Sequence, residues 1–590
     1  MLTETTQFLN QNILNYLSET KPYLQRPSVV SRNFLILAQT VLFPSSQAEM
    51  SNADSGGAWL WLWHAKEEND AISRAAATLL VIAIAALSFF SLFRRRNHMV
   101  APLPPGPRGV PFFGYLPFLG TNLHLKFAEL AKTYGPIYKL RLGSKLYVVV
   151  NSPSLAKEIV RDQDMNFANR DPNIAGAIAS YGGRDIAFSS QGPYWRNLRK
   201  LFVRQLMSNT SLDACYGLRR QEVRKALSDL YRKPGVPVDI GKLALLILVN
   251  MVMGMLWGGT LQGEKGEAVA SEFREVVAKM MVLLGSPNVS DFFPALAWLD
   301  LQGVERDIKR VHQWLDGFVQ PIIDCATKGT TSELFKQKEG EPKCNEQKKD
   351  FLQIFLDMEI NLEDNQSPVD KNVALKAILM DILIGGTDTT STTVEWVMAE
   401  LLQNRNVMNK VIHELTEVVG EDEMVEEHHL PKLKYLDAVI KEAFRLHPAL
   451  PLLVPRTPNA SCVVGGYMIP KGSNVFLNMG SIHRDPKIWD EPLEFRPERF
   501  LEGPSTYDFS GNNFAYMPFG SGRRVCAGLA LAERMLPYVL ASLLHSFKWE
   551  IPPGFELDLL DKFGIVVKKM KPLVAIPTPR LSTPELYMSR

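Results

Sequence analysis

The chain has 590 residues, with 65 Lys+Arg against 63 Asp+Glu for a formal net charge of +2. That balance excludes a nucleic-acid binder built on a global basic field, and 46% hydrophobic with 22% charged residues excludes gross disorder, collagen-like repeats and a disulfide-rich miniprotein. Length alone suggests roughly four domains, while the five scattered cysteines, Cys215, Cys325, Cys344, Cys462 and Cys526, fit a reducing compartment rather than a disulfide framework.

Residues 1–74 read as an N-terminal extension and lumenal lead. Asn33–Phe43 is apolar but contains Gln39 and is too short to span a bilayer. Met50 reads as the natural start, with residues 1–49 dispensable and Trp59, Trp61 and Trp63 as interfacial aromatics. The run 75–93 carries no charge, Asn, Gln, Pro or Gly, and as a helix it spans about 28 Å, the thickness of a bilayer core. Arg94, Arg95 and Arg96 follow it, and Glu67, Glu68 and Asp70 precede it, which predicts a transmembrane anchor with everything after Phe93 in the cytoplasm. Residues 94–111 are basic and then proline-rich (APLPPGPRGVP), a stiff hinge or an ordinary linker. Residues 112–590 read as one catalytic unit of long amphipathic stretches with a few strands such as Lys145–Val150. PYWRNLRK places Trp195 and Arg199 one helical turn apart, two donors without acceptors, as an anion requires; a basic helix with a half-buried Trp has the same pattern. Leu243–Trp257 contains Asn250 and Gly254 and predicts a buried helix, and 328–350 predicts a solvated loop.

Chemistry-bearing motifs concentrate further on. Residues 377–400, AILMDILIGGTDTTSTTVEWVMAE, set Gly385 and Gly386 before Thr387, Asp388, Thr389 and Thr390. This reads as a helix bent at the glycine pair, or as two helices split by a capping cluster. Glu442 and Arg445 lie three apart on one predicted helix, Arg456 ends the sequence LPLLVPR, and Pro497, Glu498, Arg499 and Phe500 follow. In FGSGRRVCAGLALAERML, 519–536, Cys526 follows a glycine-rich bend and opens a helical pattern, a setting that favours its thiolate as nucleophile or metal ligand. A buried structural cysteine is the commoner fate of a lone one.

Phe519, Gly522, Arg524, Cys526 and Gly528 together form F-x-x-G-x-R-x-C-x-G. This pattern resembles the haem-binding loop of the cytochrome P450 monooxygenases, and W-x-x-x-R, GGTDTT, E-x-x-R and PERF precede it in that family's order. The resemblance runs from near Ala75 to the C-terminus, and PPGP, HPALPLLVPR and SIHRDP look like the microsomal plant branch; Gly480, where plant relatives usually have Trp, departs from it. It implies a mainly α fold with smaller β-sheets behind a single N-terminal transmembrane helix. It implies haem b (iron protoporphyrin IX) with Cys526 as the proximal thiolate, Phe519 beside the sulfur, and Trp195, Arg199, Arg456 and Arg524 on the propionates. Asp388 and Thr389 would be the catalytic acid–alcohol pair beside a bend that admits O2, and Glu442, Arg445 and Arg499 a buried structural triad.

The implied reaction inserts one oxygen atom of O2 into a lipophilic plant secondary metabolite and releases the other as water. A terpenoid is favoured as substrate, flavonoids and other phenylpropanoids next, in a pocket lined by 171–188, Ala377–Asp388, Leu452–Val454 and Phe563–Val567. The tail after Cys526 is too short for a fused flavin domain, so a separate NADPH-cytochrome P450 reductase at the endoplasmic reticulum membrane is implied, docking near Arg523 and Lys200. Other readings are a P450-fold isomerase or dehydratase, a non-catalytic haem-binding protein, and an iron-free cysteine hydrolase.

Overall fold

The proline-rich segment is held against the protein at its first described residues. Pro102 O accepts from Met468 N (2.8 Å), Pro105 O from Lys139 N (2.8 Å) and Pro104 O from Lys139 Nζ (2.6 Å). A Cβ at Gly106 would lie 2.1 Å from Lys139 O, so the close approach requires glycine there. Residues 102–106 are therefore docked on the protein rather than a free spacer. The computed structural model describes residues 101–258, 263–328, 351–357, 363–364, 367–368, 370–502 and 507–588, all within one unit, Asn97–Arg590. The expected anchor at 75–93, everything before it and most of the expected 328–350 loop lie outside the described residues.

Helices dominate. Those that build the site are α1 (Pro193–Leu201), α2 (Ile240–Trp257), α3 (Lys371–Gln403), α4 (Lys434–Leu446) and α5 (Leu529–Ser546). α2 starts where the Asp239 side chain accepts from Lys242 N (2.8 Å) and stops at left-handed Gly258, two strong local signals. It is apolar enough to cross a membrane, with a mean hydropathy of 1.9, yet its Asn250 is buried and it packs along α3. That is the buried helix expected from the sequence. α3 is capped by Asp370, which accepts from Asn372 N (2.9 Å), and runs 33 residues, about 50 Å, straight through the glycine pair. The split at Gly385–Gly386 is absent, since the helix is continuous through the pair. The threonines instead bond back into the helix: Thr387 Oγ1 to Leu383 O, Thr389 Oγ1 to Gly385 O and Thr390 Oγ1 to Gly386 O.

Small sheets sit at the flank. β1 (Ile137–Leu142) and β2 (Lys145–Val150) form an antiparallel hairpin, and β3 (Asn474–Leu477) adds parallel to β2 with Tyr147 opposite Asn474. β2 has the bounds expected from the sequence. The largest hydrophobic cluster lies among α2, α3, α4 and α5 and holds the site between α3 and the loop before α5.

Candidate active site

The loop before α5 turns because Gly522 sits at φ +67° with Val160 O 2.2 Å from where a Cβ would be. Cys526 N then donates to Phe519 O (2.9 Å) and closes the loop. A Cβ on Gly528 would meet nothing within 4 Å, so Gly528 leaves open space beside Cys526. Cys526 lines a cavity of about 330 Å³ and is exposed only into it. Burial pushes the thiol pKa up; the Gly528 N–H and the Arg199 guanidinium pull it down without overcoming that. The sequence expectation of a favoured thiolate is thus met only in part, because α5 begins at Leu529, past the cysteine, and protein encloses the sulfur. Phe519 lines the same cavity and packs edge-on against Phe444 (5.1 Å) and Phe509 (5.2 Å).

The opposite wall is one face of α3, where Asp381, Gly385, Thr389 and Thr393 recur every four residues. Thr389 faces the cavity with Oγ1 on Gly385 O (2.7 Å). Asp388, one residue away, does not line it. Its Oδ1 accepts from Lys568 Nζ (2.5 Å) on the far side of the helix, and its Oδ2 is buried without a partner. Burial raises the Asp388 pKa, and Lys568 works against the rise.

Four guanidinium groups crowd the cavity rim. Arg456 donates to Ser521 O (2.6 Å) and lies 3.4 Å from Asp164. Arg524 donates to Ala168 O, Ile186 O and Ser189 O, and Arg199 to Val525 O (2.5 Å). Arg170, which sequence reasoning did not select, donates to Ala187, Val454 and Pro455 carbonyls. Burial, then Arg456 and Arg199, push the Arg524 pKa down to about 9; burial pushes Arg456 down to about 10 against the pull of Asp164. Trp195 is buried beneath the rim, not on the cavity: its Nε1 donates to Ile186 O (3.1 Å) and its ring lies 4.1 Å from the Arg524 guanidinium. Trp195 and Arg199 are brought together, but Trp195 acts on Arg524.

Away from the cavity, Glu442, Arg445 and Arg499 assemble as expected. Arg445 Nε and Nη2 reach Glu442 Oε2 and Oε1 at 2.7 and 2.9 Å, and Arg499 Nε reaches Oε1 at 3.0 Å. No histidine lines the cavity with Cys526, so a cysteine hydrolase lacks its base.

A cytochrome P450 family model matches residues 104–576. The chain belongs to the cytochrome P450 family. A flavonoid 3'-monooxygenase of Crocosmia x crocosmiiflora is 39% identical over 85% of this chain and 97% of its own length. A flavonoid 3'-monooxygenase of Petunia hybrida is 38% identical (83% and 94%), and a flavonoid 3',5'-hydroxylase of Eustoma exaltatum subsp. russellianum 35% (86% and 96%). Among solved structures, a zebra fish cytochrome P450 with progesterone superposes with a TM-score of 0.63 at 27% identity, covering 77% of this chain and 99% of that one.

The protein is therefore a P450 monooxygenase with a mostly helical fold and haem b as cofactor. The residues present fit that group. A cavity with one thiol on its floor and bare Gly385 and Gly528 in its walls is rimmed by buried cations that lack enough carboxylate, and haem brings two. A second chamber of about 160 Å³ adjoins the first, the two sharing Arg170, Leu453 and Val454 in their walls. Of the residues expected around the substrate, Asp171, Phe188, Leu452, Phe563 and Ile565 line it. Tyr147, Phe292 and Phe476 join them from distant elements without a sequence signal.

Proposed function

We propose that this P450 hydroxylates a flavonoid, drawing electrons from an NADPH-cytochrome P450 reductase at the endoplasmic reticulum membrane. The observation that carries the substrate class is the relatives, flavonoid hydroxylases matched over most of both chains. The second chamber supports it: Tyr147, Phe188, Phe292, Phe476 and Phe563 offer aromatic faces to a planar polyphenol. The preference for a terpenoid, drawn from sequence character, finds no support among those relatives.

Haem b, when bound, supplies the oxygen activation and transfer. Cys526 Sγ would ligate the iron, and Arg170, Arg199, Arg456 and Arg524 would take the propionates, with Trp195 steadying Arg524 from below. Thr389 Oγ1 holds a proton at the cavity face of α3. Behind it Asp388, its pKa raised by burial, is ion-paired with Lys568, whose side chain reaches solvent, and can pass a proton between the two. The apolar walls exclude water, and the anchor at 75–93 would keep the chamber near lipid, where such substrates dissolve. Exposed Arg523 and Lys200 suit an acidic reductase surface.

The reduced, CO-bound absorption spectrum tests the ligand: a far red-shifted Soret band is expected, and its loss in Cys526→Ser. Titration with a flavanone and with a terpenoid alcohol, read as the substrate-induced Soret shift, tests the class; saturation by the terpenoid alone overturns it. Thr389→Ala should divert NADPH consumption from product to peroxide, and unchanged coupling would remove Thr389 from the relay.

A further inference from the structure

Two buried carboxyls that the roles above do not use face each other beside the cavity. Asp381 lies on the cavity face of α3, two turns before Thr389. Asp185 is 3% exposed in the strap between Tyr181 and α1. Asp381 Oδ2 accepts from Ile186 N (2.6 Å), while Asp185 Oδ1 accepts from Phe188 N (2.8 Å) and Ser189 N (3.0 Å). Asp381 is thereby bonded to the residue next to Asp185, and the Asp185 carboxyl beside it adds to the rise of its pKa. Two carboxylates can only accept, so neighbours this close are relieved when one takes a proton and donates to the other.

The strap they hold is a wall of both cavities. Ile186 and Ala187 line the first and Phe188 the second. Its outer carbonyls are already engaged: Ile186 O by Trp195 Nε1 and Arg524 Nη1, Ala187 O by Arg170 Nε, Ser189 O by Arg524 Nη2. The cations thus fix the strap's carbonyls and the carboxyl pair fixes its amides, locking it from both sides. The charged groups facing the pair are Arg524 from the cysteine loop and Arg170 from the segment before the strap. Lys376, on α3 itself, is taken by Asp316 of the helix Val304–Thr327 at 2.8 Å.

We propose that Asp185 and Asp381 share one proton and act as a latch that positions the 185–189 strap, and with it the substrate, against α3. Burial raises both carboxyl pKa values, Asp185 to about 6 and Asp381 further with Asp185 adding to its rise. The folded form therefore binds a proton that an open strap releases. The latch is complete at acid pH and is lost as pH rises through the raised values.

Amide hydrogen exchange on the haem-loaded enzyme reads the latch at Ile186, Phe188 and Ser189, after correction for the intrinsic pH dependence of exchange. In the wild type, protection should fall by up to about tenfold per pH unit between the ordinary carboxyl range and the raised values, the limit for one coupled proton, and level off once that proton has left. The substrate KM should rise over the same range. Asp381→Asn and Asp185→Asn each supply an amide donor to the remaining carboxylate without a titrating proton, so protection and KM should become flat with pH. Asp381→Ala should lower protection at every pH. If Asp381→Asn fails to load haem, Asp185→Asn carries the same reading. Wild-type protection that is flat between about pH 4 and pH 6, or Asn variants that follow the wild-type profile, would overturn the latch. The exchange arm needs no substrate, so its outcome stands apart from the flavonoid assignment.

Discussion

Two regions of this molecule bury arginine in opposite ways. Behind the site, Arg445 and Arg499 share the Glu442 carboxylate, and every remaining hydrogen bond is to a backbone carbonyl: His483, Pro492 and Glu494 for Arg445, Asp490, Glu491 and Glu494 for Arg499. Glu442 and Arg445 are wholly buried, and the ring of Trp489 lies 5.2 Å from the Arg445 guanidinium. On the cavity rim, Arg170, Arg199 and Arg524 also find carbonyls, but the only carboxylate ion-paired with a rim guanidinium among the described residues is Asp164 on Arg456. The first cluster is closed within the protein. The second carries a surplus of buried positive charge, and such a surplus marks where an anionic ligand belongs.

The largest effect should come from opening the closed cluster. Glu442→Ala strands two buried guanidinium groups at once, a loss of about 3–5 kcal/mol where one is typical. No haem-loaded protein should accumulate, as read by the reduced CO-bound spectrum of membranes. A normal spectrum would mean that the two clusters are not different in kind.

Arg524→Met should split by state. It removes repulsion from Arg456 and Arg199 but also three donors to the Ala168, Ile186 and Ser189 carbonyls, so the haem-free protein should melt only modestly lower than wild type, far less than Glu442→Ala. It also removes a propionate partner, so haem should pass faster to an acceptor apoprotein. A variant that destabilises both states alike would place Arg524 with the closed cluster.

Arg499→Lys tests whether the triad needs the guanidinium fork or only the charge. Lysine can keep the Glu442 contact but not the Asp490 and Glu491 carbonyl bonds as well. Two partly buried acceptors lose charged donors, and a melting shift worth about 1–2 kcal/mol is expected with haem retained.

The contrast between these clusters was only half visible in the chain. Glu442, Arg445 and Arg499 could be named in advance because their motifs are local and their partners are each other. Cys526, Phe519, Arg524 and Arg456 were legible for the same reason, as was the mainly helical architecture with its buried α2. Arg170 was missed because N-R-D-P in 169–172 reads as any polar turn; only the fold brings it to the Val454 and Pro455 carbonyls. Trp195 was placed on the cavity by helix spacing, yet its indole went to Ile186, because spacing fixes a helix face but not what the opposing loop offers. Asp388 and Thr389 are adjacent in sequence and were read as a pair at one site. On a continuous helix, neighbours point about 100° apart, so one faces the cavity and the other Lys568.

That last pair supplies the mildest test, because it strands an acid instead of an arginine. Asp388 is buried and Lys568 about one-third exposed, so the cation contributes less than a buried partner would. Lys568→Met removes the only cation holding down a pKa that burial already raises, so the Asp388 pKa should climb further. An arginine left alone stays charged, whereas a carboxyl can take a proton. The variant should therefore melt below wild type only at the pH where Asp388 is ionised. As pH falls through the raised pKa, the carboxyl becomes neutral and the two melting curves should converge. Curves that stay apart at acid pH would show that Lys568 matters for packing rather than for the Asp388 charge.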